Sequence, residues 1–489
     1  MNINLPLQHS IDSLFNRYRV MPLPAKAGLW FTLAAFMQRA IGFLTTPIYT
    51  RILSTDQYGV VSVFNTWEWI IAIFCTLNLF YGGFNNGMRD YKEQHDEYVS
   101  AIQGLITAIT AFWLIVYFLG RSFWNDLLQM KTHIVILMFL QIIATASLSL
   151  WAARERFEFK YKKLVLITVA NTFFRLSLPI IGVLLSVPER GAEVRIVMQA
   201  FSEICICGCL YVYNFKCGKL FYSSKIWKEA FLFNFPLLPH YLSIIILNHS
   251  DRIMISKMVG NSETALYSVA YSGVMALSIL ATSMNHSFAP WLYGKIERKS
   301  YKNIASVANF MFVGMAIVLV LLMLLAPEFL YVFGGLHYMG AVKIVPSVAT
   351  SLYFVLMYQI FANVEFYYKR NKFIAYASIT GAVLNLILNY FGIKIFGYIA
   401  AGYTTLICYI IFGLSHYLFM KKICREELNN ITLFDAKTVF ISAFTLVLCS
   451  IGMILLYPHA IMRYVIILIV VSALYINKNR ITLSITQLY

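Results

Sequence analysis

Four charged side chains lie inside long apolar runs of this sequence, where charge is costly. Arg39 and Glu68 interrupt the first two runs, and Arg175 and Glu203 interrupt the fifth and sixth. Each lies near the middle of its run, which is close to the midplane of a bilayer if the run spans one. A charge at that depth costs between ~3 and more than ~10 kcal/mol. Each of the four therefore needs either a partner or a polar cavity.

Polar residues accompany these charges at helical spacing, as residues sharing one helix face do. The stripes are Thr32, Arg39 and Thr46; Ser62, Asn65 and Glu68; Thr168, Asn171 and Arg175; and Gln199, Ser202 and Glu203. One interpretation is structural ion pairs between helices. The other is a cavity for an anionic substrate, because arginine forks suit phosphate oxygens. In that case Glu68 and Glu203 would neutralise the arginines of an empty cavity or carry protons.

The C-terminal half carries amides and a histidine where the N-terminal half carries charges. The candidate residues are His240, Asn248, Asn385 and Asn389, whereas Asp251 and Arg252 fall near the outer end of their run. Uncharged amides suit sugar hydroxyls, but they equally hold membrane helices together. Both interpretations of these four residues stay open.

The composition excludes a soluble protein. Of 489 residues 60% are hydrophobic and 12% charged, and the mean hydropathy is +0.70. Such a chain predicts an all-α, polytopic membrane protein. We count about fourteen runs of spanning length in the sequence. They cover approximately residues 27–49, 59–82, 99–119, 132–153, 164–186, 194–214, 230–251, 265–290, 304–326, 341–364, 373–393, 397–419, 438–457 and 460–476.

The distribution of Lys and Arg predicts the orientation. With a cytoplasmic N-terminus, 27 of the 39 Lys and Arg residues fall on the cytoplasmic side and 10 opposite, with Arg39 and Arg175 inside runs. The positive-inside rule therefore places both termini in the cytoplasm. The net charge of +17 then reflects cytoplasmic loops rather than nucleic-acid binding. The basic start, which runs into a long interrupted apolar segment, is not expected to be a cleaved signal.

An internal repeat predicts two lobes. With an offset of 206 residues, Arg51-Ile-Leu matches Lys257-Met-Val, and Ser62-Val63 matches Ser268-Val269. Six spans separate the copies, so the repeats are parallel, a known transporter arrangement. The predicted organisation is 1–26, a cytoplasmic segment; 27–214, an N-terminal lobe of spans 1–6; 215–229, a cytoplasmic linker; 230–420, a C-terminal lobe of spans 7–12; 421–437, a cytoplasmic loop; 438–477, spans 13 and 14; and 478–489, a cytoplasmic tail.

The eight cysteines predict neither disulfides nor a metal site. Most lie inside apolar runs, and Cys205, Cys207 and Cys209 do not converge on one point of a helix. We expect no metal ligands and no cofactor.

Three sequence blocks resemble the polysaccharide transporter family of the multidrug/oligosaccharidyl-lipid/polysaccharide exporter superfamily. The first is Gln38-Arg39-Ala-Ile-Gly-Phe-Leu with Pro47-Ile-Tyr-Thr-Arg51-Ile-Leu-Ser and Tyr58-Gly59. The others are Phe233-Asn-Phe-Pro236-Leu-Leu-Pro239 with Ser250-Asp251-Arg252, and Asn385-Leu-Ile-Leu-Asn389 with Phe396-Gly-Tyr-Ile-Ala-Ala-Gly402. The resemblance covers most of the chain.

This resemblance implies a lobed bundle of twelve to fourteen helices with a central cationic cavity. It also implies an undecaprenyl-pyrophosphate-linked glycan as substrate and alternating access driven by an ion or by the membrane potential. Arg39 is similar in position to a first-span arginine that the related lipid II flippases use. Those relatives carry another arginine one turn later, where this chain has Thr45 and Thr46. The difference favours an oligosaccharide repeat unit over lipid II.

We therefore expect a flippase rather than an enzyme, in the bacterial inner membrane, moving O-antigen, capsule or exopolysaccharide units from the cytoplasmic to the periplasmic leaflet. Arg39, Arg175, Asn65, Asn171, Gln199, His240, Asn248, Asn385 and Asn389 would bind the substrate. Glu68 and Glu203 would couple transport to H⁺ or Na⁺. Further expected partners are membrane lipids, a polysaccharide polymerase and chain-length proteins, but no nucleic acid. The alternatives are a multidrug exporter, a membrane-embedded polymerase or glycosyltransferase, and a scaffold protein.

Overall fold

The computed structural model describes residues 18–477, apart from the side chains of residues 371, 372 and 375. Every regular element in that range is helical. The α-helices are α1 Leu23–Ile52, α2 Thr55–Thr76, α3 Gly83–Asp90, α4 His95–Leu119, α5 Arg121–Leu128, α6 Thr132–Phe157, α7 Tyr161–Leu185, α8 Gly191–Gly218, α9 Ser224–Asn234, α10 Leu238–Met258, α11 Asn261–Met275, α12 Ser278–Glu297, α13 Ile304–Leu324, α14 Ala326–Gly334, α15 Val345–Tyr367, α16 Asn371–Phe396, α17 Ala400–Glu427, α18 Ala436–Leu456 and α19 Ala460–Ile476.

The all-helical, polytopic fold predicted from the sequence is confirmed. Thirteen segments of residues 18–477 are long and apolar enough to cross a membrane. The fourteenth predicted run is α19, whose 17 residues extend only ~25 Å, against a hydrocarbon core of ~30 Å. Residues 1–17 of the expected N-terminal segment and the whole tail, 478–489, lie outside the described residues.

One proline lies at a break between two helices, and two others lie inside long helices. Pro236 lies in a 3-10 turn, Phe235–Leu237, that separates α9 from α10. Pro47 and Pro179 lie inside α1 and α7, where each removes a backbone donor. Pro346, in contrast, is the second residue of α15, where a missing N–H costs nothing. A proline at this position is compatible with a straight helix.

The chain forms two compact units. The N-terminal unit consists of Met1–Thr45 and Trp67–Leu238, and the C-terminal unit of Thr46–Thr66 and Pro239–Tyr489. In the N-terminal unit α8 packs against α4, α6 and α7. In the C-terminal unit α15 packs against α11, α12, α13, α17 and α18, and most of its residues are buried. The lobe limits given from the sequence stay a prediction.

An ion-pair cluster joins the ends of α4 and α6 in the N-terminal unit. Arg154 pairs with Asp96, and its Nε lies 3.2 Å from Glu158 Oε1. His95 Nδ1 lies 3.0 Å from the same oxygen. Burial raises the pKa of Glu158, but hydrogen bonds from Lys160 and His95 and the Arg154 charge lower that pKa to about 2. The ionised carboxylate of Glu158 therefore holds the ends of α4 and α6 together across the whole neutral range of pH.

A second ion pair fixes the start of the short helix α19 within the C-terminal unit. Arg463 is buried, and its two Nη atoms each lie 2.8 Å from an oxygen of Glu328. Arg463 Nη1 also donates to the Leu324 carbonyl, and the Tyr464 hydroxyl donates to Glu328. Bidentate geometry of this kind is the strong form of the arginine–carboxylate pair.

The internal repeat is visible in the helix ends. Helix α1 ends at Ile52 and α10 at Met258, while α2 begins at Thr55 and α11 at Asn261. Both pairs of ends are separated by the 206 residues at which the sequence repeats. The starts of α2 and α11 also touch each other within the C-terminal unit, where the Thr55 and Ser262 hydroxyls are 3.1 Å apart.

Gly59 permits this contact. A Cβ added at Gly59 would lie 1.9 Å from the Asn261 carbonyl oxygen, which is backbone and cannot move aside easily. The absence of a side chain therefore sets how closely the two repeats approach at this point.

Gly59→Ala is expected to destabilise the protein by about 1–3 kcal/mol, the usual range for overpacking. Gly314→Ala is the matched control, because nothing lies within 4 Å of a Cβ built at Gly314 in α13. The control should be neutral or slightly stabilising, since alanine favours helix. Thermal unfolding of the detergent-purified variants measures both. Equal melting temperatures for Gly59→Ala and wild type would contradict this packing.

Candidate functional site

Three of the four midplane charges meet in the N-terminal unit, and an amide joins them. Gln141 Nε2 donates to Glu68 Oε1 at 3.0 Å and to Glu203 Oε2 at 2.6 Å. Arg175 Nε lies 3.0 Å from the other Glu203 oxygen, Oε1. Both hydrogens of the Gln141 amide are therefore engaged, one on each carboxylate. We call Glu68, Gln141, Glu203 and Arg175 the carboxylate cluster.

Four different helices supply the cluster. Glu68 comes from α2, Gln141 from α6, Arg175 from α7 and Glu203 from α8. Gln141 is fully buried, three residues after the equally buried Met138, on the inward face of α6. Because α8 packs against both α6 and α7, Glu203 receives one partner from each neighbour. The packing of the unit thus positions every group of the cluster.

The two carboxylates are buried and the arginine is not. The exposed fraction is 7% for Glu68 and 1% for Glu203, against 37% for the Arg175 side chain. The buried atoms Glu68 Oε2 and Gln141 Oε1 have no hydrogen-bond partner among the described residues. A buried carboxylate is costly unless a charge or hydrogen bonds compensate it. The cluster has two acids for one guanidinium, and Arg175 is its accessible end.

The predicted polar stripes of α7 and α8 lie beside the cluster. Asn171, one turn before Arg175, is buried and accepts a hydrogen bond from the Cys207 thiol at 3.5 Å. Gln199, one turn before Glu203, is buried, and its Nε2 has no partner in the described part of the chain. The structure therefore brings these two amides near the charges, and their role in binding substrate stays a prediction.

Arg39 is not part of the cluster. It is exposed on α1, and among residues 18–477 its side chain has no hydrogen bond or ion pair. It shares a helix face with Gly28, Thr32 and Gly42, of which Gly28 and Thr32 are exposed and neither glycine has an atom within 4 Å of a built Cβ. The exposed apolar residues Leu29, Leu33, Phe36 and Leu44 lie elsewhere on α1. A polar, small-residue face beside an apolar one is typical of a helix between water and lipid.

The polar stripe of α2 that contains Glu68 also includes Asn65, which lies outside the carboxylate cluster. Asn65 lies three residues before Glu68, is half-buried and belongs to the C-terminal unit. Its Oδ1 is buried without a hydrogen-bond partner in the region that the structure describes. An amide oxygen in this condition is available to a donor such as a hydroxyl group.

The amides of the C-terminal unit surround a buried acid. Asp251 is fully buried in α10 and accepts hydrogen bonds from Tyr267, from Asn389 at 2.5 Å and from Thr405 at 3.2 Å. Asn385, also fully buried, accepts from Asn389 at 3.0 Å. Asn385 and Asn389 therefore help to satisfy a carboxylate and link α10, α16 and α17. Their assignment to substrate stays a prediction.

Asn248 and His240 are more accessible than these two. Both are half-buried on α10. Asn248 Oδ1 accepts from the Tyr409 hydroxyl at 2.8 Å, and its Nδ2 donates to the Ile244 carbonyl. His240 Nδ1 is buried and has no hydrogen-bond partner among the residues described.

No group of three His, Cys, Asp or Glu side chains between residues 18 and 477 is arranged to hold a metal ion. Of the three clustered cysteines, Cys207 is buried while Cys205 and Cys209 are exposed. Cys205 and Cys209 share one face of α8 and Cys207 lies on another, so the three thiols do not converge on one point.

Sequence reasoning did not assign Gln141, Asp251 or their hydroxyl-bearing neighbours to a site. Gln141 is an uncharged residue in an apolar run, and its isolation there is the only sequence signal it offers. Asp251 was assigned to a helix end, although the structure buries it fully. Its hydrogen-bond partners lie up to 154 residues away in the sequence, at Thr405.

Asp251→Asn tests the buried network of the C-terminal unit. The substitution replaces an accepting oxygen with an amino group that faces donors, and each unsatisfied buried group costs ~1–3 kcal/mol. The melting temperature of the purified protein should fall clearly. Asp56→Asn, at an exposed position of the same unit, is the control and should melt like wild type. A fully stable Asp251→Asn protein would show that this carboxylate is not needed for packing.

Comparisons with known proteins point to the class of protein that the sequence predicts. Residues 25–291 match the model of a family described as polysaccharide biosynthesis protein. Two Haemophilus influenzae proteins are similar over most of the chain. One, described as an uncharacterized membrane protein, is 23% identical over 71% of this chain and 85% of its own length. The other, Lsg locus putative protein 1, is 20% identical over 73% of this chain and 88% of its own length.

Solved structures show the same fold. The lipid II flippase MurJ in an inward closed conformation superimposes with a TM-score of 0.68 at 15% identity, covering 93% of this chain and 100% of its own. An inward-facing multidrug resistance transporter of the MATE family, from the MOP superfamily, gives 0.55 at 13% identity, covering 80% and 96%.

Proposed function

Because the chain belongs to the polysaccharide biosynthesis protein family, within the exporter superfamily that includes MATE transporters, we propose that it is a flippase for a polyprenyl-pyrophosphate-linked oligosaccharide. It would move the head group from the cytoplasmic to the periplasmic leaflet of a bacterial inner membrane by alternating access. The lipid tail stays in the bilayer. A protein path avoids the cost of passing a pyrophosphate through hydrocarbon.

The observation that carries the proposal is the accessible arginine over two buried acids. Arg175 is 37% exposed although its partner Glu203 is only 2% exposed, both measured for side chains. Two oxygens of a pyrophosphate can each accept an N–H of one guanidinium group, so the anion competes with the carboxylate for Arg175. Arg39, exposed on the polar face of α1, is the second cation of the proposed anion site. Two arginines within membrane helices favour an anionic head group.

The sugars of the substrate would contact uncharged polar side chains. Asn65, Asn248 and His240 are half-buried, and Asn65 and His240 each have a buried polar atom without a hydrogen-bond partner in the described chain. Asn171 and Gln199 lie one turn from the charges of the cluster. Asn385 and Asn389 are fully buried, so their contact with a glycan requires the network around Asp251 to open.

Energy coupling is proposed at Glu68 and Glu203, with H⁺ or Na⁺ as the ion. When an anion binds Arg175, Glu203 loses its cationic partner and gains affinity for another cation, H⁺ or Na⁺.

The proposed orientation rests on the distribution of Lys and Arg, which predicts that both termini lie in the cytoplasm. A polysaccharide polymerase and chain-length proteins are the proposed further partners, since they act on the exported unit.

The second candidate function is export of drugs, which the fold likeness to the MATE transporter favours. Cationic drugs suit acids alone, whereas this unit exposes arginines and buries its acids. The fold likeness to a flippase and to a MATE transporter favours transport over a polymerase or glycosyltransferase.

Loss of both arginines is expected to abolish glycan export. Arg39→Ala and Arg175→Ala should each weaken binding by about 1.5–3 kcal/mol, the value of hydrogen bonds to a charged group, and lysine at either position should retain part of the activity. Surface glycan in a deletion strain carrying each variant measures export, with membrane insertion checked by immunoblot.

Arg121→Ala is the control, because it removes one positive charge at an exposed position of the short helix α5. It should export normally. Full export by the Arg39→Ala, Arg175→Ala double variant would remove the proposed anion site.

A further inference from the structure

In the carboxylate cluster a single amide group serves two acids. Gln141 has only two N–H hydrogens, and the structure assigns one to Glu68 and the other to Glu203. Its side chain is fully buried, so water does not replace either bond. A change in the charge of one carboxylate therefore changes the hydrogen bond that the amide can give to the other. Glu68 and Glu203 are therefore coupled through one shared donor group.

Charge around this amide is unbalanced. Glu68 faces it from α2 and Glu203 from α8, while α7 contributes Arg175, which pairs with Glu203. Cys207 of α8 is the other titratable group nearby, and it donates to Asn171. Arg195 lies two turns before Glu203 on α8. At the level of Gln141, α6 supplies no charge. Arg175 forms its ion pair with Glu203, and Glu68 has no ion pair within 4 Å among residues 18–477.

The unsatisfied atoms of the cluster are both acceptors. Glu68 Oε2 and Gln141 Oε1 are buried without a hydrogen-bond donor in the part of the chain described. A proton on the glutamate supplies the missing donor, because a neutral carboxyl group has one O–H. Among the described residues, no group of three His, Cys, Asp or Glu side chains is arranged to hold a metal ion.

We propose that Glu68, Gln141 and Glu203 form a single proton-binding unit whose occupancy rises when an anion draws Arg175 away from Glu203. This rests on the proposed function, which supplies a pyrophosphate as the anion. Gln141 is a positioning residue: it makes two acids into one site. The linkage is reciprocal, so a proton in the unit also releases Arg175 and strengthens anion binding. Substrate head group and proton therefore favour each other at this site.

Calorimetry of anion binding tests the proposal. Inorganic pyrophosphate is titrated into the full-length protein in nanodiscs, in two buffers of different ionisation enthalpy. The difference in heat gives the protons taken up for each anion bound. The wild type should take up a measurable fraction of a proton, approaching about one as the unit fills. In Glu203→Gln this uptake should vanish, because the residue that Arg175 leaves no longer titrates.

Gln141→Met separates a positioning role from a structural one. Without the amide, both carboxylates lose a hydrogen bond that favours their ionised form. The pH at which uptake is half-maximal should rise by about one unit or more, the equivalent of one charge-assisted hydrogen bond. Gln103→Met is the matched control. Gln103 is equally buried in the same unit but bonds the Tyr211 carbonyl and Asn214, so its substitution should leave the pH profile unchanged.

The outcomes are distinct. Pyrophosphate binding without proton uptake at any pH in the neutral range overturns the proton unit and leaves the proposed function standing. Uptake that Na⁺ abolishes overturns the assignment to protons. An unshifted profile in a folded Gln141→Met protein overturns the role of the amide. Complete absence of pyrophosphate binding removes the anion site, and with it both proposals. Glu203→Gln gives an independent answer if Gln141→Met does not fold.

Discussion

The constraint on which this structure depends is the cost of an uncompensated charge in a membrane-spanning helix. The N-terminal unit meets it by gathering three charges and one amide into one cluster: Gln141 bonds Glu68 and Glu203, and Arg175 pairs with Glu203. The four side chains come from α2, α6, α7 and α8, so the packing of these helices also brings together the groups that compensate each other's charge. Removing any one partner leaves another charged or polar group buried without compensation.

The two units meet this constraint in different ways. In the C-terminal unit, Asp251 is fully buried and surrounded by hydroxyl and amide donors from three other helices. In the N-terminal unit the acids outnumber their cation and the cation is accessible. A fully satisfied network favours one stable arrangement, whereas an unbalanced one responds to an arriving anion or proton. This difference favours the N-terminal unit for the proposed chemistry of transport.

Much of the fold follows from the sequence because hydrophobic runs and repeats are local signals. The runs predict the spanning helices, and the repeat at Arg51 and Lys257 predicts helix ends that the structure places 206 residues apart. Similar depth in the membrane is enough to expect arginines to meet glutamates, and Arg175 does meet Glu203. Gln141 was not predictable, since an amide carries no charge and its partners are 62 and 73 residues away. Sequence alone also does not separate Arg39 from the other three charges.

The most direct test of the central claim is reconstitution of the purified protein in vesicles that contain a fluorescent polyprenyl-pyrophosphate oligosaccharide. A membrane-impermeant quencher reports the head groups that remain in the outer leaflet. If the protein is a flippase for this lipid, the fraction of fluorescent lipid that can be quenched should rise from the share initially in the outer leaflet toward all of the lipid. Vesicles with the Arg39→Ala, Arg175→Ala protein should behave like vesicles without protein. If the wild-type protein leaves the lipid in its original leaflet under both an imposed proton gradient and an imposed potential, the account is contradicted.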